Sequence, residues 1–207
     1  WIDDQLDEAW DDGVILLPVA HHNLLDESKI YVEDCTIEHS EELVNRLEEE
    51  NVPLFLSGHL HVQHYMRNEE DRGIYEIVTS SLSTPPCQYG VLEYRDDESF
   101  SYHTQQVDME KWARKHKSTD ENLLNFNTYA PAALRTIFYN QSYDAMKDSE
   151  EEETGDLFVK LTQRQKEQMS EVYAQLNAAC YGGKAYEVVK EATTTPAYKM
   201  WQEYCYP

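Results

Sequence analysis

Two short apolar runs, Val14-Ile15-Leu16-Leu17-Pro18-Val19-Ala20 and Val52-Pro53-Leu54-Phe55-Leu56-Ser57, restrict the folds open to this chain. Each has the length of a strand and is apolar almost throughout. That pattern predicts strands covered on both faces, as in an α/β layer. Helices flank them. Ile2, Leu6, Ala9 and Trp10 share one helical face among acids, and Gly13 stops that helix. Ser40 reads as an N-cap with Glu41 and Glu42 in the first turn, and Leu43, Val44 and Leu47 form the buried stripe behind it. The order helix, strand, long loop, helix, strand is an α/β layer pattern.

The pattern then changes twice. Val62 to Arg67, Ile74 to Ser80, Gln88 to Tyr94 and Ser99 to Val107 are β-rich runs separated by turn residues, which predicts an antiparallel meander. After Val107 the β-rich runs stop. Asp108 caps a helix with Met109, Trp112 and Ala113 inward. Pro131 to Lys147 continues helical, with Leu134, Ile137, Phe138 and Ala145 in phase. Thr162 opens a long helix carrying Met169, Val172, Tyr173 and Leu176, ended by Gly182-Gly183. Short helices are expected at Tyr186 to Ala192 and Ala197 to Tyr204. This divides the chain into a mixed region, 1–107, and an all-α region, 108–207.

Histidine placement is the functional signal. Of the 8 histidines, His21-His22 follows the first apolar run, and Gly58-His59-Leu60-His61, with His64 beyond, follows the second. Sites in open α/β sheets form outside the carboxyl ends of strands, where both clusters fall. A His-x-His turn can aim two neutral imidazoles into one cavity and bind a transition metal or zinc. Gly58 is expected to let the backbone turn there. His64 reads by itself as an outward-facing strand residue.

Charge narrows the partners. Asp+Glu 40 against Lys+Arg 17 gives a net charge of -23. Such a surface repels nucleic-acid phosphates and anionic lipid, so a nucleic-acid polymer is not an expected partner. A phosphate substrate would need bound cations to invert the local field. No apolar run reaches the roughly 18 residues of a membrane helix. Cys35, Cys87, Cys180 and Cys205 are far apart and form neither a zinc ribbon nor a dense disulfide framework. Reduced thiols are expected, and Cys35 lacks the setting of a nucleophile.

With these residues in view, "VAHHNLL" (19–25) and "LFLSGHLHVQHY" (54–65) resemble the second half of a calcineurin-like metallophosphoesterase. Ile74 to Leu82 and Tyr89 to Tyr94 are similar to that family's closing strands. The resemblance spans residues 1–107. It implies the C-terminal part of a β-sandwich flanked by helices, an α+β arrangement, followed by an all-α domain. It implies two divalent transition metals, Mn, Fe or Zn, with His21, His59 and His61 as ligands. His22 is the alternative to His21 in the neighbouring register. His59 would share the metal of His21, and His61 would ligate the other. His22, Asn23, Gly58 and His64 would support the ligands or face the substrate. Two such metals activate a water and stabilise in-line attack on a phosphodiester.

The family's earlier Asp-x-His, Gly-Asp and Gly-Asn-His motifs are absent at strand ends here. Gly155-Asp156 falls in an acidic loop. The missing ligands are therefore expected from an N-terminal half of the catalytic domain, on the same polypeptide or a second chain. Trp1 in place of Met points the same way, to a processed chain or a piece. The segment "SFSYHTQQVDMEKWA" (99–113) and the helices after it resemble a bacterial cyclic-nucleotide-phosphodiesterase-like subgroup with a helical C-terminal domain. That resemblance implies a hydrolase of small phosphodiesters, extracellular or on the surface of a Gram-positive bacterium. The alternative is a non-catalytic regulatory module that keeps a one-metal or empty site.

Overall fold

The computed structural model describes residues 1–26, 34–68, 73–95, 99–151, 161–192 and 195–199. The expected helix at Ala197 to Tyr204 therefore lies largely outside the described residues, as does Gly155-Asp156. The chain divides into two compact units, Trp1–Ser81 and Leu82–Pro207. The position 107/108 falls inside the second unit, between a hairpin and its first helix.

In the first unit, α1 (Ile2–Asp12) and α2 (Ser40–Glu49) accompany β1 (Leu54–Ser57), β2 (His64–Arg67) and β3 (Tyr75–Val78). The sheet order is β1-β3-β2. β1 runs parallel to β3 with Leu54 opposite Tyr75, and β2 runs antiparallel with His64 opposite Val78. The antiparallel pairing of β2 with β3 is as expected, but β3 also pairs in parallel with β1, so this sheet is mixed and the two β runs after it belong to a separate sheet.

Leu6, Leu24, Leu25, Leu47, Val52, Phe55 and Ile74 form the core. Each large side chain buried there contributes about 1.5–3 kcal/mol. Gly13 ends α1 in the left-handed conformation, its N–H donating to Ala9 and Trp10 carbonyls. Both α1 and α2 are acidic, and Arg46 joins them. Its guanidinium lies 2.7 Å from Asp3 and 3.9 Å from Asp7, and 3.4 and 2.6 Å from Glu49 and Glu50. Hydrogen bonds to Asp3 and Glu50 raise its pKa further still.

Two local expectations are corrected. The N-cap of α2 is His39, in the left-handed region at φ 59°, and Ser40 is already helical. The run Val14 to Ala20 is not a covered strand. It touches the sheet by one parallel bridge, Val19 to Leu56. The Ala20 N–H donates to the Leu56 carbonyl and the Leu56 N–H to the Pro18 carbonyl, each at 3.0 Å. Pro18 has no N–H for a longer ladder. Among the described residues the run is largely uncovered: Val19 is 69% exposed, and Val14, Ile15 and Leu17 are exposed with it.

In the second unit, β4 (Gln88–Tyr94) and β5 (Phe100–Gln106) form an antiparallel hairpin with Gln88 opposite Gln106. Then follow α3 (Met109–Lys115), α4 (Glu121–Leu124), α5 (Phe126–Glu151), α6 (Gln163–Tyr181) and α7 (Ala185–Ala192). Asp108 caps α3 by accepting from the Lys111 N–H, and Thr162 and Gln165 make a reciprocal capping box on α6. Leu134, Phe138 and Ala174 are the core of the α5–α6 pair, with Tyr139, Tyr173 and Tyr181 around it.

Three expected inward residues turn out. Trp112 is half exposed and stacks on His116, Ile137 is exposed, and Met146 is buried where Ala145 was expected. α5 also starts earlier than its Pro131, which sits inside the helix. Taken together, the described residues form an α+β fold: a small mixed sheet with helices, then a hairpin and a helical array. Among them no helix is long and apolar enough to cross a membrane.

Candidate functional site

The site grows from the carboxyl end of β1 and the end of the extended run beside it. The bridge at Val19 sets Ala20 against Leu56, so His21-His22 emerges next to Ser57-Gly58-His59. The Gly58 N–H donates to the His21 carbonyl at 3.2 Å, which ties the two turns together.

Three of the histidines come together there. His21 Nε2 and His59 Nδ1 are 3.1 Å apart. Ring centroids lie 5.0 Å apart for His21 and His59, 4.6 Å for His22 and His59, and 5.4 Å for His21 and His22. His59 is held below the ordinary histidine range, first by burial and then by the neighbouring imidazoles of His22, His21 and His61, while Asp34 acts in the other direction. Two nitrogens bound to one tetrahedral zinc at about 2.05 Å would stand about 3.3 Å apart. The His21–His59 spacing is close to that. At present the two nitrogens face one another across a ring-to-ring hydrogen bond. Among the described residues, no three of His, Cys, Asp and Glu are arranged to hold a metal ion.

His61 is exposed beyond Leu60, near enough to act on the charge of His59. His64 is the first residue of β2, exposed, with its ring stacked on Tyr65 at 6.5 Å. Neither joins the ring cluster of His21, His22 and His59. Gly58 does not make the turn as expected. The left-handed residues are His59 and His61, at φ 63° and 58°. A Cβ on Gly58 would meet the His21 and Thr79 carbonyls at 3.9 Å, an ordinary contact.

Asn23 is 1% exposed and acts from behind the cluster. Its Nδ2 donates to Ser57 Oγ at 2.9 Å and to the Gly58 carbonyl at 3.3 Å. Ser57 in turn donates its hydroxyl to Glu76 Oε1. A carbonyl on one side and an oxygen already donating on the other both need N–H, so the amide orientation is determined by its partners. The other amide atom, Asn23 Oδ1, is buried and has no hydrogen-bond partner among the described residues. Such an atom costs about 1–3 kcal/mol unless something else satisfies it.

Glu76 was missed by sequence reasoning. It is 0% exposed in β3, and its carboxylate accepts from the Leu24 N–H at 2.8 Å and the Leu25 N–H at 2.6 Å. The available signal was an acid inside the apolar strand Tyr75-Glu76-Ile77-Val78. Asp34 was also missed. Asn23 pairs with Thr36 in parallel register, which carries the segment holding Asp34 alongside the His21-His22 turn.

An α+β unit with a histidine cluster at its strand ends, and beside it in sequence a hairpin and helical array, is the class that these features define. Residues 108–207 match the sequence model of the family described as the C-terminal domain of cyclic nucleotide phosphodiesterase. Against curated protein sequences the chain has no significant match.

Proposed function

We propose that this chain carries the histidine half of a dinuclear metal centre in a phosphodiesterase. The observation that carries this reading is the 3.1 Å approach of His21 Nε2 to His59 Nδ1 at paired strand ends. It favours His21 over His22 as the ligand sharing a metal with His59, and it leaves the exposed His61 for the second metal. Divalent Mn, Fe or Zn suits imidazole donors and, when bound, supplies an activated water and positive charge at the phosphoryl group. The chain's own residues orient the rings and hold His59 below the ordinary histidine range, and Asn23 and Gly58 hold the two turns in register.

The reaction is hydrolysis of a small phosphodiester: water enters at phosphorus, and one ester oxygen leaves with a proton as an alcohol. The family matched by residues 108–207 makes cyclic nucleotides the favoured substrate class. A net charge of -23 disfavours polymeric nucleic acid but not a small diester at a bound cation. The rest of the ligands come from an N-terminal half of the catalytic domain, which also completes a β-sandwich. The open apolar edge at Val14 to Val19 suits that half, as does the adjoining groove of about 450 Å³, which Leu6, Leu16, Ala20 and Phe55 help to line.

A second reading, a non-catalytic module with one metal or none, is favoured because among the described residues no three of His, Cys, Asp and Glu are arranged to hold a metal ion. Metal analysis and turnover of bis(p-nitrophenyl) phosphate by the protein with its upstream sequence separate the two. Two metals per chain, with turnover lost in His59→Ala, are expected. A protein that takes up no metal refutes the enzyme reading.

A further inference from the structure

We infer that Glu76 is a positioning residue: one buried carboxylate locks the two histidine turns to each other. The inference rests on the metal reading above for its purpose, but its geometry stands alone. Glu76 reaches the first turn through the Leu24 and Leu25 N–H groups, directly after His21-His22-Asn23. It reaches the second through the Ser57 hydroxyl, directly before Gly58-His59. Asn23 closes the loop by donating to Ser57 and Gly58. Two backbone segments 30 residues and more apart in sequence, joined directly by the Gly58 N–H to His21 carbonyl bond, thus also meet on one side chain in the middle of β3.

The chemistry requires a carboxylate. At least three donors converge on two oxygens, and an ionised carboxylate accepts at both. Glutamine would present an NH2 to one of these N–H or O–H groups. An aliphatic side chain would leave two buried N–H groups unpaired. The same position serves metal binding. Groups that orient ligating imidazoles from behind commonly change metal affinity by about 10–100-fold when removed.

A capping role alone and a clamping role differ at Ser57. Ser57→Ala cuts the link to the second turn and leaves the Leu24 and Leu25 caps in place. Cobalt(II) titration followed by its visible absorption bands measures affinity, and imidazole NMR of the metal-free protein reports the rings of His21 and His59. The expected result is a loss of cobalt affinity of about 10–100-fold and displaced ring signals in Ser57→Ala, in a protein that still folds with a thermal midpoint only a few degrees lower. Ser57→Thr should restore both. Glu76→Gln should lose affinity at least as strongly.

A folded Ser57→Ala protein with wild-type ring signals and wild-type cobalt affinity overturns the clamp. If the wild type with its upstream sequence takes up no cobalt, the metal reading fails and the ring signals alone judge the clamp: displaced in Ser57→Ala they uphold it, unchanged they overturn it.

Discussion

Cys87 is buried and Cys180 partly so, and desolvation pushes both thiols above the ordinary 9.0. The direction fixes two outcomes. Both should remain thiols at pH 8 and react with iodoacetamide more slowly than the same residues in urea, as peptide mass spectrometry can measure. A raised folded-state pKa also contributes stability that is complete below the unfolded value. That contribution is lost as pH rises through 9.0 and on through the higher folded values. Thermal midpoints taken between pH 8 and pH 10.5 should fall accordingly. Among single residues, the histidines at strand ends were legible because their chemistry is tied to spacing along the chain. Glu76 and Asp34 were not. Glu76 is defined by partners about 20 and 50 residues away, and Asp34 by a parallel bridge between two loops. Neither relation leaves a mark on local spacing. Gly58 misled for a related reason: the left-handed backbone was taken by His59 and His61, types that only occasionally adopt it.

Element ends followed local chemistry where the side chain had a nearby backbone group to bond. Asp108, Thr162 and Gly13 each act where their types predict. Gly13→Ala tests this directly. Among the described residues nothing lies within 4 Å of an added Cβ, so the left-handed backbone at φ 64° is what opposes the change. The expected loss is about 1 kcal/mol, seen as a lower urea midpoint with an unchanged slope. The failures have tertiary causes. Val14 to Ala20 is apolar enough for a buried strand, yet Pro18 interrupts its hydrogen bonding and Val14, Ile15, Leu17 and Val19 are exposed. Ile137 and Trp112 sit on faces that periodicity marks as inward. Periodicity records which residues share a face of a helix, not whether another element covers it.

The whole molecule combines an acidic surface with an apolar edge. Self-repulsion at a net charge of -23 weakens with salt, so adding about 0.5 M NaCl should promote self-association, visible by sedimentation. Val19→Lys should suppress it, because a charge on an exposed strand edge blocks edge-to-edge pairing. The edge is bare to Val19 while α1 beside it carries Asp3, Asp4, Asp7, Glu8, Asp11 and Asp12. Shape and charge therefore ask for different things. Apolar surface welcomes any strand, but the acids around it turn away a second copy of so acidic a chain. The combination works as a filter on partnership: the edge is open to a neutral or basic segment and closed to its own kind.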